Sequence, residues 1–220
     1  GGDEDSNRNT TRRLLLLLES VPLKRYLDDE QSFTNAVAAG PRIPHFLLNH
    51  VARYWRTMAV DFAQKQRNRE GKGAALRNIK LRFSRILLFI AGLLACFSVE
   101  IEAEDEQRHQ LFASSQVQPA LDWLLPRFRD RTPLESVAAS LLAMKSFDEK
   151  SAANFFEAYD EFLGIIGDQK SRTDIGNRSY ESPEYAKARV ASHKFRAAIK
   201  ALFLTPGSKI GELTIDYGVF

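Results

Sequence analysis

Two segments of the chain carry arginine, lysine and amide side chains at the spacing of one helix face. The first repeats every four residues, at Arg53, Thr57, Asp61 and Lys65. Residues four apart lie on the same side of an α-helix. A guanidinium group binds a phosphate or a carboxylate through two parallel hydrogen bonds. The pattern therefore favours one of two roles, phosphate binding or an internal Arg–Asp network that fixes helix register.

The second segment places Asn78, Arg82 and Arg85 at +4 and +7. Residues 53–85 contain ten Lys or Arg and two acidic residues, a net charge of +8 in a chain of net charge +3. If the two helices pack antiparallel, Asp61 can meet Arg82 or Arg85, which leaves other cations for a ligand. We call the nine candidate ligand-binding residues the basic stripe: Arg53, Arg56, Asp61, Lys65, Arg77, Asn78, Lys80, Arg82 and Arg85.

Other side chains that could bind a ligand fit structural roles better. Four aromatic residues near the basic stripe could stack on bases, but aromatics at helical spacing are more typical of a core. They are Tyr54, Trp55, Phe83 and Phe89. Residues 100–106 contain five acidic residues that could bind a cation. A solvated face, or a partner for the basic stripe, fits that run better.

The sequence lacks the residue spacings of common catalytic motifs, including the phosphate-binding loop, the nucleophile elbow and the zinc motifs. Gly207-Ser208 is similar to the start of a polymerase-β-type site, but Asp216 has no second carboxylate two residues later. Arg189 and His193 have three residues between them, whereas the Arg–His pair of HEPN-type ribonucleases needs four to six. We therefore expect no catalytic residue and no metal ligand in this chain.

Composition places the chain among average soluble globular proteins, with 44% hydrophobic and 27% charged residues over 220 positions. Cys96 is the sole cysteine and lies in an apolar run, which predicts a buried thiol in a reducing compartment. That run, residues 86–97, is shorter than the ~20 residues that span a bilayer. We expect a cytoplasmic protein with no membrane partner.

Helical periodicity dominates and predicts an all-α fold, an irregular bundle of about six to eight helices with two long antiparallel central helices. Residues 168–181 are predicted as a loop and the tail from Leu213 as a strand-like piece. We expect three regions, a polar tail over 1–10 that is disordered or expression-derived, a helical domain over 11–205 and a C-terminal tail over 206–220. The predicted helices cover 11–20, 29–39, 44–68, 74–99, 119–128, 133–144, 148–167 and 183–204, while 100–111 continue the fourth of them or start another.

Two phrases in the basic stripe resemble a known family. R-Y-W-R-T-x-x-V-D at 53–61 and L-R-N-x-K-L-R-x-S-R at 76–85 are similar to the C-terminal helical region of bacterial nucleotidyltransferases of the polymerase-β-like superfamily. The similarity covers about 11–97 in detail and the rest by helical pattern. The catalytic Gly-Ser and Asp-x-Asp segment of that family is missing from this chain.

The resemblance implies a non-catalytic accessory domain that completes a nucleotide or nucleic-acid site, with a nucleotide or RNA as ligand. It implies no cofactor in this chain, with Mg²⁺ accompanying NTP if a catalytic domain is attached. The alternative is a helical protein-interaction module of a toxin–antitoxin or defence assembly, docking a partner protein through the acidic run and apolar faces. A stand-alone RNA-processing enzyme using His193 is the third hypothesis. The oligomeric state stays open.

Overall fold

A computed structural model describes residues 43–68, 73–112 and 118–218. These residues form nine α-helices and no strand, so the prediction of an all-α fold is confirmed. The predicted helices over 11–20 and 29–39 lie outside the described residues. The helices are α1 His45–Asn68, α2 Ala74–Glu102, α3 Asp105–Phe112, α4 Gln118–Arg129, α5 Pro133–Ala143, α6 Glu149–Gly167, α7 Gln169–Arg178, α8 Pro183–Phe203 and α9 Lys209–Leu213.

Three short segments depart from α-helical geometry. Leu81–Arg85 forms a π-helical turn inside α2, and Thr214–Gly218 forms another directly after α9. Ser179–Glu181 is a 3-10 turn between α7 and α8. Single π-turns inside α-helices are rare and often accompany functional sites.

The helix starts follow the capping residues in the sequence. Thr132 and Glu135 form a reciprocal capping box at the start of α5. Ser182 accepts a hydrogen bond from the Tyr185 N–H at the start of α8, where Pro183 is the first helical residue. The predicted starts at Thr132 and Ser182-Pro183 are therefore confirmed.

Two local predictions are wrong. Residues 168–181, predicted as a loop, contain α7 and the 3-10 turn, because Asp168 caps the helix through Ser171 and Ile175 is fully buried. The strand-like tail is helical, because Ser208 caps α9 and both Ile210 and Leu213 are buried. In both cases a cap and one or two buried side chains define a helix that has little apolar periodicity.

The chain divides into two compact units, which we describe separately. Unit 1 contains the described residues 43–52, 88–112 and 118–145. Its buried side chains include Leu94, Phe97, Leu124 and Val137. A Cβ at Gly92 would lie 2.8 Å from Val51 Cγ1, so the absence of a side chain at Gly92 lets α1 and α2 approach closely.

Unit 2 contains the described residues 53–68, 73–87 and 146–218. Its core is an aromatic cluster centred on Phe83, whose ring stacks on Phe162 with centroids 4.5 Å apart. Phe195 lies 5.1 Å from Phe83 and 4.7 Å from Phe155. These rings tie α2 to α6 and α8 within the unit.

The two long helices run antiparallel, as predicted. Val51 lies beside Gly92 in unit 1, and Met58 Sδ lies 3.6 Å from Arg85 Nη1 in unit 2. Moving forward along α1 from Val51 to Met58 therefore moves backward along α2 from Gly92 to Arg85.

One helix of the described residues, α2, is long and apolar enough to cross a membrane. Its most apolar 18-residue window has a mean hydropathy of 1.9, and 72% of that window is buried inside the protein. The core helix of a folded protein meets the same criteria. The helix extends well beyond the apolar run at 86–97 that the sequence analysis considered.

Candidate functional site

The α1 half of the basic stripe lies on the surface of unit 2. Arg53, Arg56 and Asp61 are all exposed, and Lys65 lies on the same helix. The Thr57 hydroxyl donates to the Arg53 carbonyl oxygen, an i to i−4 bond that keeps Thr57 on its own helix. This half therefore offers exposed cations on a regular helix.

The α2 half of the basic stripe is partly buried. Arg77, Asn78, Lys80, Arg82 and Arg85 are all half-buried. Arg82 Nε donates to Asn78 Oδ1 at 2.8 Å, and Arg85 Nη1 lies 3.6 Å from Met58 Sδ. The π-turn Leu81–Arg85 includes both arginines, so the backbone departs from α-geometry where these two guanidinium groups are attached.

Two tyrosines complete a cluster around Asn78. Tyr185 Oη donates to Asn78 Oδ1 at 3.2 Å, so this amide oxygen accepts from Tyr185 and from Arg82. The Tyr180 ring meets Tyr185 edge to face, with centroids 5.0 Å apart and an interplanar angle of 85°. We call Arg77, Asn78, Arg82, Tyr180 and Tyr185 the tyrosine–arginine cluster.

The turn before α8 positions both tyrosines. Ser182 is buried, and its hydroxyl donates to Asp174 Oδ2 at 2.5 Å while accepting from the Tyr185 N–H at 3.2 Å. Ser179, next to Tyr180, adopts φ 54 and ψ −124. A non-glycine residue in this region of backbone space stores about 1–3 kcal/mol, and such strain concentrates at functional sites.

Arg77 is the most constrained cation of the cluster. Its Nε and Nη2 atoms are buried and have no hydrogen-bond partner among the described residues. Gly73, at φ 65, leaves room for it, because a Cβ there would lie 3.3 Å from Arg77 Nη1. Buried N–H donors without acceptors are costly, so an oxygen-rich ligand at this position would stabilise the side chain.

The electrostatics of Tyr180 reflect its neighbours. Partial burial raises its pKa, the adjacent Tyr185 adds to the rise, and the cations Arg77 and Arg82 oppose it. With a pKa above the ordinary value near 10, the hydroxyl stays protonated at neutral pH and can donate a hydrogen bond. The site therefore combines guanidinium groups with a neutral phenol.

Of the four aromatic residues considered for base stacking, Phe83 lies where a core residue is expected. Phe83 is fully buried in the unit 2 core. Tyr54, Trp55 and Phe89 are half-buried. The exposed ring in this region is Tyr180, which the sequence analysis did not single out.

The acidic run at 100–106 is not simply a solvated face, and that expectation is corrected. Glu102 accepts from Arg127 Nε at 3.0 Å and from Arg131 Nη1 at 2.7 Å. Glu100 accepts from Arg108 Nη1 at 3.0 Å, and both glutamate side chains are at least nine-tenths buried. Burial forces these carboxylates to pair with arginine inside unit 1.

The remaining candidate catalytic residues take no part in the hydrogen bonds described for the tyrosine–arginine cluster. Arg189 and His193 are both exposed on α8, one turn apart. Among the described residues, no group of three or more His, Cys, Asp or Glu side chains is arranged to hold a metal ion. Asp216 lies in the π-turn after α9 rather than on a strand.

Sequence reasoning missed Tyr185 because its partner Asn78 is 107 residues away along the chain, and it missed Tyr180 because that ring joins the cluster through Tyr185. One signal was present, since Ser182-Pro183 predicts a helix start and so places Tyr185 in its first turn. Nothing local indicates that this turn meets Asn78. The pairing depends on tertiary packing of α2 and α8 within unit 2.

The fold and this cluster define an all-α protein in which one exposed tyrosine, Tyr180, lies at the edge of a group of half-buried cations. Comparison with known proteins adds no relative, since no family model, curated protein or solved structure matches this chain. The resemblance to the helical region of nucleotidyltransferases stays a prediction.

Proposed function

We propose that this chain is a non-catalytic helical domain that binds the phosphate groups of a nucleotide or nucleic acid through the basic stripe. The proposal includes its membership in a nucleotidyltransferase-like protein, where it would serve as an accessory domain beside a catalytic one. The observation that carries it is the tyrosine–arginine cluster, where Arg82 and Tyr185 donate to the same amide oxygen of Asn78 and Tyr180 packs against Tyr185.

The surrounding charges support this proposal. Residues 53–85 hold ten cations against two acids, and Arg53 and Arg56 are exposed on α1 of the same unit. Guanidinium groups bind phosphate by paired hydrogen bonds, and a local excess of positive charge attracts polyanions. Arg77, whose buried donors have no partner among the described residues, would gain acceptors from a phosphate.

The alternative, a helical protein-interaction module, has a separate supporting feature in unit 1. Leu142 on α5 is 79% exposed. The acidic run contributes less to this alternative than the sequence suggested, because Glu100 and Glu102 are buried in arginine pairs.

Thermal unfolding with and without NTP and magnesium tests the proposal. A ligand at about 100 times its dissociation constant adds roughly 2.7 kcal/mol, which corresponds to a rise of about 5–10 °C for a chain of this size. We expect an upward shift that shrinks as salt rises, because screening weakens phosphate contacts. Inorganic triphosphate alone serves as a probe without a base.

Charge-neutral variants locate the site. Arg53→Gln and Arg82→Gln should each reduce the ligand-induced shift, whereas Arg196→Gln, an exposed arginine on α8, should retain it. Arg82→Gln also removes the bond to Asn78, at a cost of about 1 kcal/mol, so the shift is compared within each variant. Unchanged melting with NTP, triphosphate and RNA would contradict the proposal and favour a protein partner.

A further inference from the structure

The ring of Tyr180 is unusual in its surroundings. Among the aromatic side chains whose burial the structure describes, Tyr180 alone is exposed, with 45% of its surface accessible. The other rings of unit 2 are buried or half-buried. The neighbouring Tyr185 shares the Asn78 amide oxygen with the Arg82 guanidinium. Exposed aromatic rings close to arginine are surfaces on which unpaired bases stack.

The ring is held in place while one face stays accessible. Its edge-to-face contact with Tyr185 occupies at most one face of the Tyr180 ring. Tyr185 is itself buried and fixed by its hydrogen bond to Asn78. The strained Ser179 and the capping residue Ser182 fix the backbone on either side of Tyr180.

Three acids lie near Tyr180 along the chain, at Asp174, Glu181 and Glu184. Glu181 is exposed next to Tyr180, and Glu184 pairs with Lys187 at 2.7 Å. Asp174 accepts from Ser182 and pairs with Arg178 at 3.2 Å. Arg82 is linked to the Tyr180 ring through Asn78 and Tyr185, and the charges of Arg77 and Arg82 oppose the rise in the pKa of Tyr180. A phosphate attached to a base lying on this ring would enter the field of these two cations.

We infer that the tyrosine–arginine cluster binds an unpaired nucleotide, whose base stacks on Tyr180 and whose phosphate contacts Arg77 and Arg82. The inference rests on the proposed function and adds the base to it. A paired base within a duplex has no free face to offer, so the ligand is a free nucleotide or a single-stranded nucleic acid.

Fluorescence anisotropy with a labelled single-stranded oligouridylate tests the inference. Tyr180→Ala should weaken binding at least about five-fold, the effect of losing one base–aromatic stack. Tyr180→Phe, which keeps the ring, should bind within two-fold of the unchanged protein. Leu204→Ala removes an apolar side chain of similar exposure, 43%, and should leave binding unchanged.

A strand of the same length without bases separates stacking from charge. The unchanged protein should bind this abasic strand more weakly than oligouridylate, and Tyr180→Ala should bind both strands equally. A duplex should bind no better than the abasic strand. Competition with UTP distinguishes a free nucleotide from a single-stranded nucleic acid as the ligand. Displacement of the oligouridylate at low UTP concentration identifies a free nucleotide, and weak displacement identifies a strand.

Two outcomes would contradict the inference, and they separate its failure from that of the proposed function. If Tyr180→Ala binds oligouridylate as the unchanged protein does while Arg82→Gln binds more weakly, the stacking inference fails and the phosphate site stands. If neither strand nor UTP binds to the unchanged protein, the proposed function fails with it. Circular dichroism of each variant verifies that the helices are intact.

Discussion

Glu102 shows how single residues hold unit 1 together. Its two carboxylate oxygens accept from Arg127 and Arg131, and Arg127 also donates to the Trp123 carbonyl oxygen at 2.6 Å. The Arg127 guanidinium lies 3.5 Å from the centroid of the Trp123 ring. Burial lowers the pKa of Arg127, and the Glu102 carboxylate opposes that change. One carboxylate therefore compensates a largely buried cation.

Replacing Glu102 by glutamine should destabilise the protein by about 3 kcal/mol, because it leaves Arg127 buried with no carboxylate partner. Urea unfolding measures the loss. The control is Glu104→Gln, at an exposed position of the same acidic run, with an expected change within about 0.5 kcal/mol. Equal unfolding midpoints for the two variants would show that the pair does not stabilise unit 1.

Ser179 stores strain that glycine would release. Its φ of 54 and ψ of −124 lie where a Cβ is unfavourable and glycine is favoured. We expect Ser179→Gly to raise the free energy of unfolding by about 1 kcal/mol, and Ser179→Ala to leave it unchanged or lower. Thermal unfolding of the three proteins measures the difference, and a loss of stability in the glycine variant would contradict the strain.

At the residue scale, the sequence predicts the α2 residues of the site but not the residues of other helices that join them. The stripe residues Arg77, Asn78 and Arg82 were predicted as candidates, and Asn78 and Arg82 meet at one helical turn. Local spacing is sufficient for that bond. The tyrosines join through α8, which is distant in sequence, so no periodicity within α2 indicates them.

At the scale of elements, helices α6 and α7 begin with the same device. Asp148 accepts from the N–H and hydroxyl of Ser151, and Asp168 accepts from the N–H and hydroxyl of Ser171. These hydrogen bonds from serine lower the pKa of both aspartates, the side-chain bond being the larger cause. Each carboxylate is therefore favoured in the folded state.

The lowered pKa values give a direction for the pH dependence. The stabilisation from Asp168 is complete above its unfolded pKa of about 3.9 and is lost as pH falls through the lower folded value. Asp168→Asn keeps an acceptor at the cap but has no charge to lose. We expect the urea midpoints of the two proteins to differ most at pH 5–7 and to converge below about pH 3.

Asp160→Asn, at an exposed position inside α6, is the matched control for this pH series. It removes a carboxylate that caps no helix in the structure. Its midpoint should follow that of the unchanged protein in parallel across the range. A constant difference between the Asp168→Asn protein and the unchanged protein down to pH 2.5 would contradict the role of the charged cap.

The helices that could be predicted were those with strong signals in the sequence. Strong caps and long apolar stripes predicted α1, α2, α5, α6 and α8 to within a few residues. The α7 segment is polar almost throughout and has one buried side chain, Ile175, so it lacks the periodicity that predicts a helix. The tail from Leu213 alternates apolar and polar residues like a strand, but packing of Ile210 and Leu213 decides for a helix.

At the scale of the whole molecule, each unit contains one tryptophan. Trp123 lies in unit 1, where its Nε1 donates to Ser98 at 3.0 Å, and Trp55 lies in unit 2. Helices α1 and α2 each contribute residues to both units. Because helix formation is cooperative along the chain, we expect the two units to unfold together.

Single-tryptophan variants measure this coupling. In Trp55→Phe the fluorescence of Trp123 reports on unit 1, and in Trp123→Phe the fluorescence of Trp55 reports on unit 2. Within each variant the fluorescence midpoint in urea should coincide with the midpoint from far-ultraviolet circular dichroism. Separated midpoints in either variant would show that one unit unfolds before the other.

The π-turn at Leu81–Arg85 lets α2 hold one extra residue without changing the helix face on either side of it. A π-turn accommodates one residue more than an α-helix would use over the same rise, and each residue of an α-helix turns the chain by about 100°. Deleting one residue of the turn other than Arg82 would therefore restore α-geometry and leave Asn78 on the same face relative to the Ile86 end of the helix. A further inserted residue that is not absorbed by a second π-turn would instead rotate Asn78 about 100°, away from Tyr185. The register of the tyrosine–arginine cluster therefore tolerates a one-residue deletion at this turn better than a one-residue insertion.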